Sequence, residues 1–375
     1  MEQKVRGSRL SYIDNLRALM IIFVVMLHTA VTYSGFGSWY YVENKSVDFV
    51  STLFFGFFQS FTQAYFMSLL FLIAGYFAAG NLDAKGTGCF VAGRLFRLGI
   101  PVLIYIFLIN PVCVMISHPE VNIADYYIQG ILSFDFISWT GPLWFALALL
   151  IFTLVYVLTR KISNSINFYC KFEINIKNVL LLVFFITIAA FAIRTVFPIG
   201  TDVINLQFSF FSAYVIMFAV GIMSYRYGII DRIDYNTGKR WFAASFVIGL
   251  PFWIFLMLFG GPAEGIFLIN GGLNWQAFAY ALWESFYCVT IIIGLIGIFK
   301  YRYNTQNSFQ KFLSDNAFGV FVFHAPILIG ISILFNQLAL YPVLKFIFIS
   351  IIAVSASFIF SYSIRRIGFL RKIFS

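Results

Sequence analysis

Arg9-Leu-Ser-Tyr-Ile-Asp14-Asn-Leu-Arg17-Ala-Leu-Met-Ile-Ile-Phe-Val-Val-Met-Leu-His28 is the stretch on which the reading of this chain turns. Asp14, Arg17, Ile21, Val24, Val25, His28 and Thr32 recur at i, i+3 and i+4. A carboxylate, a guanidinium and an imidazole therefore share one stripe of a single helix. Arg17 and His28 stand three turns apart, roughly 16 Å along the axis with about 20° of angular drift. Such a stripe is not expected to face lipid, where ionisable side chains are costly and functional by default. Two arrangements fit it. In one, the charge and the base mark a reaction path through an apolar slab. In the other, Asp14 and Arg17 pair at the water boundary and His28 is a satisfied core histidine.

Beyond this stretch the chain is too apolar for a soluble globule. Its mean hydropathy is +0.90, and 61% of residues are hydrophobic against 11% charged, where soluble domains carry about 25% charge. Apolar windows near 11–33, 53–79, 98–117, 142–159, 178–197, 207–225, 241–260, 277–299, 317–335 and 342–364 predict an all-α, polytopic membrane helix bundle of about ten spans. Residues 1–375 are expected to form one membrane unit with no separate soluble domain. Loops at 80–97, 160–177, 226–240 and 300–315, with both termini, hold nearly all the Lys and Arg, whereas 118–141 carries Glu120, Asp125 and Asp135 and neither Lys nor Arg. The positive-inside rule then puts both termini in the cytoplasm, in agreement with an even number of spans. The net charge of +10 is spread over short loops rather than gathered in a patch, which speaks for topology and against a nucleic-acid partner.

Lys4, Arg6 and Arg9 before an apolar run imitate a secretory signal, but the run is span-length and lacks a small-residue cleavage site, so it reads as an uncleaved first helix. Cys89, Cys113, Cys170 and Cys288 show neither CxxC spacing nor clustering with His, and no disulfide framework or metal site is expected from them. The 49 Phe residues read as lipid-compatible bulk. The ninth window, holding His324 and Pro326, is the one expected to be broken or re-entrant.

Outside the first span, few polar residues fall at membrane depth. Arg94 and Arg97 are i, i+3 neighbours at a membrane edge, ahead of Pro101 near the start of the third span. Two planar forks one turn apart suit phosphate oxygens, and equally a lipid headgroup. Gly75 and Ser68, two turns apart, read as small residues for close helix packing. Trp144 at the start of the fourth span reads as an interfacial anchor, and Arg194 near the end of the fifth as a snorkelling side chain. Glu284, inside the eighth span, needs a partner or a proton. His118 lies in the acidic loop and is expected to be solvated.

Taken together, Tyr12-Ile-Asp14-Asn-Leu-Arg17-Ala-Leu, His28 ten residues beyond Arg17, Arg94-x-x-Arg97, Leu143-Trp144-Phe145 and Phe323-His324-x-Pro326 resemble the acyltransferase-3 family. The resemblance runs from about residue 9 to the last span, and its most specific marks are the Arg-x10-His line and the Arg-x-x-Arg pair. It implies a multi-pass enzyme of the bacterial cytoplasmic (inner) membrane, in the membrane-only form. Such an enzyme moves an acyl group, usually acetyl from acetyl-CoA and in some members succinyl, to a hydroxyl of a cell-envelope glycan or a lipid-linked sugar. It further implies that His28 is the catalytic base and that Arg17, Arg94 and Arg97 serve the acyl-CoA donor.

Chemically, a sugar hydroxyl is a poor nucleophile, and a neutral imidazole within reach would take its proton as it attacks the thioester. A carboxylate such as Glu284 would steady the imidazolium formed; Asp14 and Arg17 are site candidates because they lie on one line with His28 through the slab. His324 is open to three roles: second base, acceptor-binding donor or core residue. No metal and no permanently bound cofactor is required. The competing class is a transporter or flippase for a glycan or lipid-linked sugar, in which Asp14, Arg17, His28 and Glu284 relay protons.

Overall fold

The computed structural model describes residues 10–162, 173–262 and 265–374. Lys4, Arg6, Arg9 and Cys170 lie outside these residues, as does part of the 160–177 loop. Among the described residues ten helices are long and apolar enough to cross a membrane: α1 (Ser11–Ser34), α2 (Phe49–Lys85), α3 (Thr87–Ser117), α4 (Gly141–Ile162), α5 (Ile176–Arg194), α6 (Phe208–Tyr227), α7 (Tyr235–Phe259), α8 (Trp275–Arg302), α9 (Ser308–Leu334) and α10 (Pro342–Ile364). No strand occurs among the described residues. The expected all-α bundle is thus what the chain forms.

Side-chain oxygens at helix starts satisfy amides that have no partner within the helix. Asp48 caps α2, Asp234 caps α7 and Asn274 caps α8. Asn307 and Gln310 form a reciprocal capping box on α9. Close approach is then set by small residues, because in lipid packing rather than hydrophobicity drives helices together. At the α2–α6 crossing a Cβ on Gly75 would stand 2.1 Å from the Phe218 carbonyl, and one on Gly221 would stand 2.1 Å from that of Leu72. The packing role expected of Gly75 is therefore its role here. α2 and α8 are the most buried helices and α5 and α7 among the least. α1 packs against α2, α8, α9 and α10, which turns its ionisable stripe away from the periphery.

Two features depart from the sequence reading. The stretch 80–97 is not an open loop, since α2 continues to Lys85 and α3 begins at Thr87. Pro101 consequently lies inside α3 rather than near its start. A proline lacks the amide that should bond the carbonyl four residues back, and the helix absorbs this by widening. One π-helical turn, Leu95–Gly99, precedes Pro101, and a second, Tyr105–Ile109, precedes Pro111. The carbonyl of Phe107, which Pro111 cannot bond, accepts instead from the Tyr127 hydroxyl of the short helix Ile123–Leu132. The ninth span is continuous across Pro326, as transmembrane helices tolerate when neighbours re-satisfy the freed backbone.

Candidate active site

α1 ends at Gly35, whose φ of +76° reverses the chain. A Cβ there would press on the Ser46 backbone at 3.1 Å, so a residue without one fits best. The following segment, 36–47, folds back along the helix it has just left. The Glu43 amide donates to the Thr32 carbonyl at 2.9 Å, and Asn44 Nδ2 donates to the Tyr33 carbonyl at 3.0 Å, using carbonyls that the end of α1 leaves free. Glu43 also pairs with Lys345 of α10 at 2.6 Å. Lys345 is buried, and a buried charge is tolerated when it is paired and hydrogen-bonded. Tyr40 donates to Asn110 on α3, and Tyr341 donates to Asp48 at 2.8 Å. The segment itself is exposed to half-buried, and these bonds rather than burial hold its irregular backbone in place.

The fold-back delivers Trp39 onto His28. The two rings stack with centroids 3.9 Å apart and planes 19° from parallel. On its other side His28 meets His324 of α9, with His28 Nδ1 and His324 Nε2 3.1 Å apart. His324 is fully buried, while His28 retains partial exposure. Proton positions follow from the partners. His324 Nδ1 stands 2.9 Å from the Phe321 carbonyl and 3.2 Å from that of Val320. Carbonyls only accept, so His324 Nδ1 carries hydrogen, and neutral His324 presents a bare Nε2. His28 Nδ1 must then be the donor of the imidazole pair. The Val24 carbonyl, one turn back, is a further acceptor beside the His28 ring. Neutral His28 is left with its lone pair on Nε2, a base whose tautomer is set by a second ring, as histidine sites commonly are.

The other residues singled out in the sequence fall into three groups. Asp14 and Arg17 form an i, i+3 ion pair at 3.0 Å near the basic end of the bundle, with Asp14 largely buried and Arg17 half exposed. Arg94 lies over the Phe90 ring at 5.2 Å, and Arg97, inside the first wide turn of α3, is exposed. These three arginines stand at the end of the bundle opposite the His28 pair. The third group, Leu143-Trp144-Phe145, backs the site. Gly141 ahead of it brings the chain so close to Tyr105 that a Cβ would meet that ring at 2.4 Å. Phe145 packs edge-on against Phe321, one helical turn from His324, and Trp144 stacks on Tyr214 instead of serving only as an interfacial anchor.

Two expectations need correction. Arg194 does not snorkel: it is fully buried, bonds Glu284 through a guanidinium nitrogen and donates Nε to the Ser209 carbonyl at 3.1 Å. Glu284 accordingly spends its charge on Arg194 across α5 and α8 and does not bond the imidazole pair. Among the described residues no carboxylate hydrogen-bonds either His28 or His324; the histidine that has such a partner is exposed His118, 3.2 Å from Glu120. Trp39, Glu43 and Lys345 were not legible as site residues. Loop segment 36–47 has no periodicity, and Lys345 follows Pro342 at a helix start, where a basic residue reads as an anchor.

A model of the acyltransferase-3 family, described as an acyltransferase domain, matches residues 10–362. No curated protein and no solved structure matches significantly.

Proposed function

Since the chain belongs to the acyltransferase-3 family, we propose that it moves an acyl group, acetyl first and succinyl second, from cytoplasmic acyl-CoA to a hydroxyl of a cell-envelope or exported glycan, with His28 as general base. The observation that carries this reading is the imidazole pair. Its hydrogen-bond chain from the Phe321 carbonyl through His324 to His28 leaves one basic nitrogen bare at membrane depth.

In the reaction so read, His28 Nε2 takes the acceptor hydroxyl proton as that oxygen bonds to the thioester carbonyl carbon. The tetrahedral adduct then expels the thiolate, which receives the proton from His28 and leaves as the free thiol of CoA. Transfer of a proton in the transition state by a placed side chain is worth about 10² to 10⁴ in rate. Arg94 and Arg97, with Arg17, would hold the donor's phosphates at the basic, cytoplasmic end, since guanidinium matches phosphate bidentately. The thioester would travel up the Arg17 to His28 line of α1, roughly 16 Å. The acceptor would come from the opposite face of a bacterial cytoplasmic membrane, with both termini of the chain inside.

Sealed right-side-out vesicles test this directly. Labelled acyl-CoA loaded inside should acylate glycan presented outside, and His28→Ala should abolish transfer while the protein stays inserted. Donor that works equally well from outside intact vesicles would refute the sidedness. Movement of unmodified glycan without acylation would favour the transporter class, which the closed Asp14–Arg17 and Arg194–Glu284 pairs do not favour as a proton relay.

A further inference from the structure

Taking a proton turns His28 into a cation deep in the bundle, and that charge must be stabilised where it forms. The usual device, a carboxylate on the second ring nitrogen, is missing among the described residues. Glu284 is bound to Arg194 and Asp14 to Arg17. What touches the ring instead is His324 at its edge, 3.1 Å away, and the Trp39 face, with centroids 3.9 Å apart. An indole face carries the strongest π-quadrupole of the natural side chains and attracts cations within about 6 Å, more so when both are desolvated.

We propose that Trp39 is a positioning residue for the base: its indole face fixes the His28 ring and stabilises the positive charge that the ring holds between taking the acceptor proton and giving it to the departing thiolate. This inference rests on the proposed acyl transfer. The proton balance is unchanged by it, since Trp39 neither gains nor loses hydrogen. The segment 36–47 is built to hold that face in place. It is pinned before Trp39 by the Ser34 hydroxyl donating to the Phe36 carbonyl at 2.8 Å, and after it by Tyr40 to Asn110 on α3, by Glu43 to Lys345 on α10 and by Glu43 and Asn44 to the end of α1. The indole is itself flanked by Tyr40, edge-on at 5.1 Å.

The titratable and charged groups around the stack are few. His324 faces His28 from α9. Tyr40 of the loop faces Trp39, and its hydroxyl stands 3.4 Å from that of Tyr105 on α3. The Glu43–Lys345 pair between the loop and α10 is neutral as a unit. Arg17 and Asp14 lie about three turns down α1. A change in the Trp39 face alone should therefore be read at His28.

The test is the pH dependence of kcat/KM for acyl transfer by the full-length protein in detergent or nanodiscs, with acetyl-CoA and an accepting glycan. Trp39→Phe keeps a weaker aromatic face and should move the acidic limb of the profile to lower pH by less than the loss of the ring does. Trp39→Leu should lower the plateau by about threefold to tenfold and move the acidic limb to lower pH by about half a unit to one unit, the scale of a desolvated cation–π contact. In case Trp39→Leu is misfolded, 5-fluoro- and 5,7-difluorotryptophan placed at position 39 weaken the face without changing its shape. The limb should move down progressively with each fluorine. A plateau that falls in Trp39→Leu with the limb unmoved, or a fluorine series that is flat, would overturn the proposal. No transfer by the unsubstituted protein would instead overturn the underlying acyltransferase reading.

Discussion

His324 offers the most informative perturbation, because its effect is fixed by hydrogen-bond arithmetic. In the unsubstituted protein, His28 Nδ1–H is donated to His324 Nε2 at 3.1 Å, and this keeps the basic lone pair on Nε2. His324→Leu removes the acceptor. A neutral hydrogen bond is worth about 0.5–1.5 kcal/mol net, and a buried donor left without a partner costs about 1–3 kcal/mol. At about 1.4 kcal/mol per factor of ten, the loss in kcat should lie between about threefold and about 100-fold. His28→Ala, by contrast, removes the base and should lose about 10² to 10⁴. His324→Gln, whose amide oxygen accepts, should recover part of the loss. The decisive comparison is the double variant, since residues that act as a unit are grossly non-additive. With His324 working only through His28, the double variant His28→Ala, His324→Leu should be no slower than His28→Ala alone. Initial rates with labelled acyl-CoA at saturating acceptor measure all five proteins. Losses that multiply in the double variant would mean that His324 acts on substrate independently, and the assigned tautomer chain would be wrong.

Two further expectations follow from pairs that the bundle brings together. Glu284→Gln should act on stability before it acts on chemistry, because it leaves the fully buried Arg194 without its carboxylate, a loss of about 3–5 kcal/mol. The thermal midpoint in detergent should fall sharply, whereas Glu284→Leu with Arg194→Met should recover most of it and retain turnover; an inactive but fully stable double variant would return Glu284 to the chemistry. Outside the membrane, the Ser51 hydroxyl foremost, with the Tyr341 hydroxyl and the first amides of α2, holds the Asp48 carboxyl down to about 2. A depressed carboxylate contributes stability that is present above the ordinary value of about 3.9 and is lost as pH falls from there towards the depressed one. The midpoint difference between the unsubstituted protein and Asp48→Asn should be constant from about pH 7 to about pH 5 and shrink below about pH 4. A difference that does not change with acid would show that the cap does not depend on the charge.

Hydrophobicity along the chain determined the number and approximate limits of the ten helices, and 3.6-residue periodicity placed Asp14, Arg17 and His28 on one stripe of α1. Both are properties of a single helix in a fixed solvent, so each can be counted from one end of the chain. Charge in the loops likewise carried the expected orientation of the bundle. Other features were set only by tertiary contact. The pairing of His28 with His324 joins positions 296 residues apart, and nothing in either helix's period states which of its faces meets which neighbour. Arg194 and Glu284 each looked like an isolated charge, one expected to reach for water and the other to serve the imidazoles; helix packing closed them on each other instead. Lipid tails are as apolar as the helix faces that pack, so an apolar surface does not say whether it meets lipid or protein. Trp39 was the least legible of all. Its segment is irregular, and its place over His28 arises from the carbonyls at the end of α1, a lysine on α10 and an asparagine on α3, contacts that exist only after the helices have assembled.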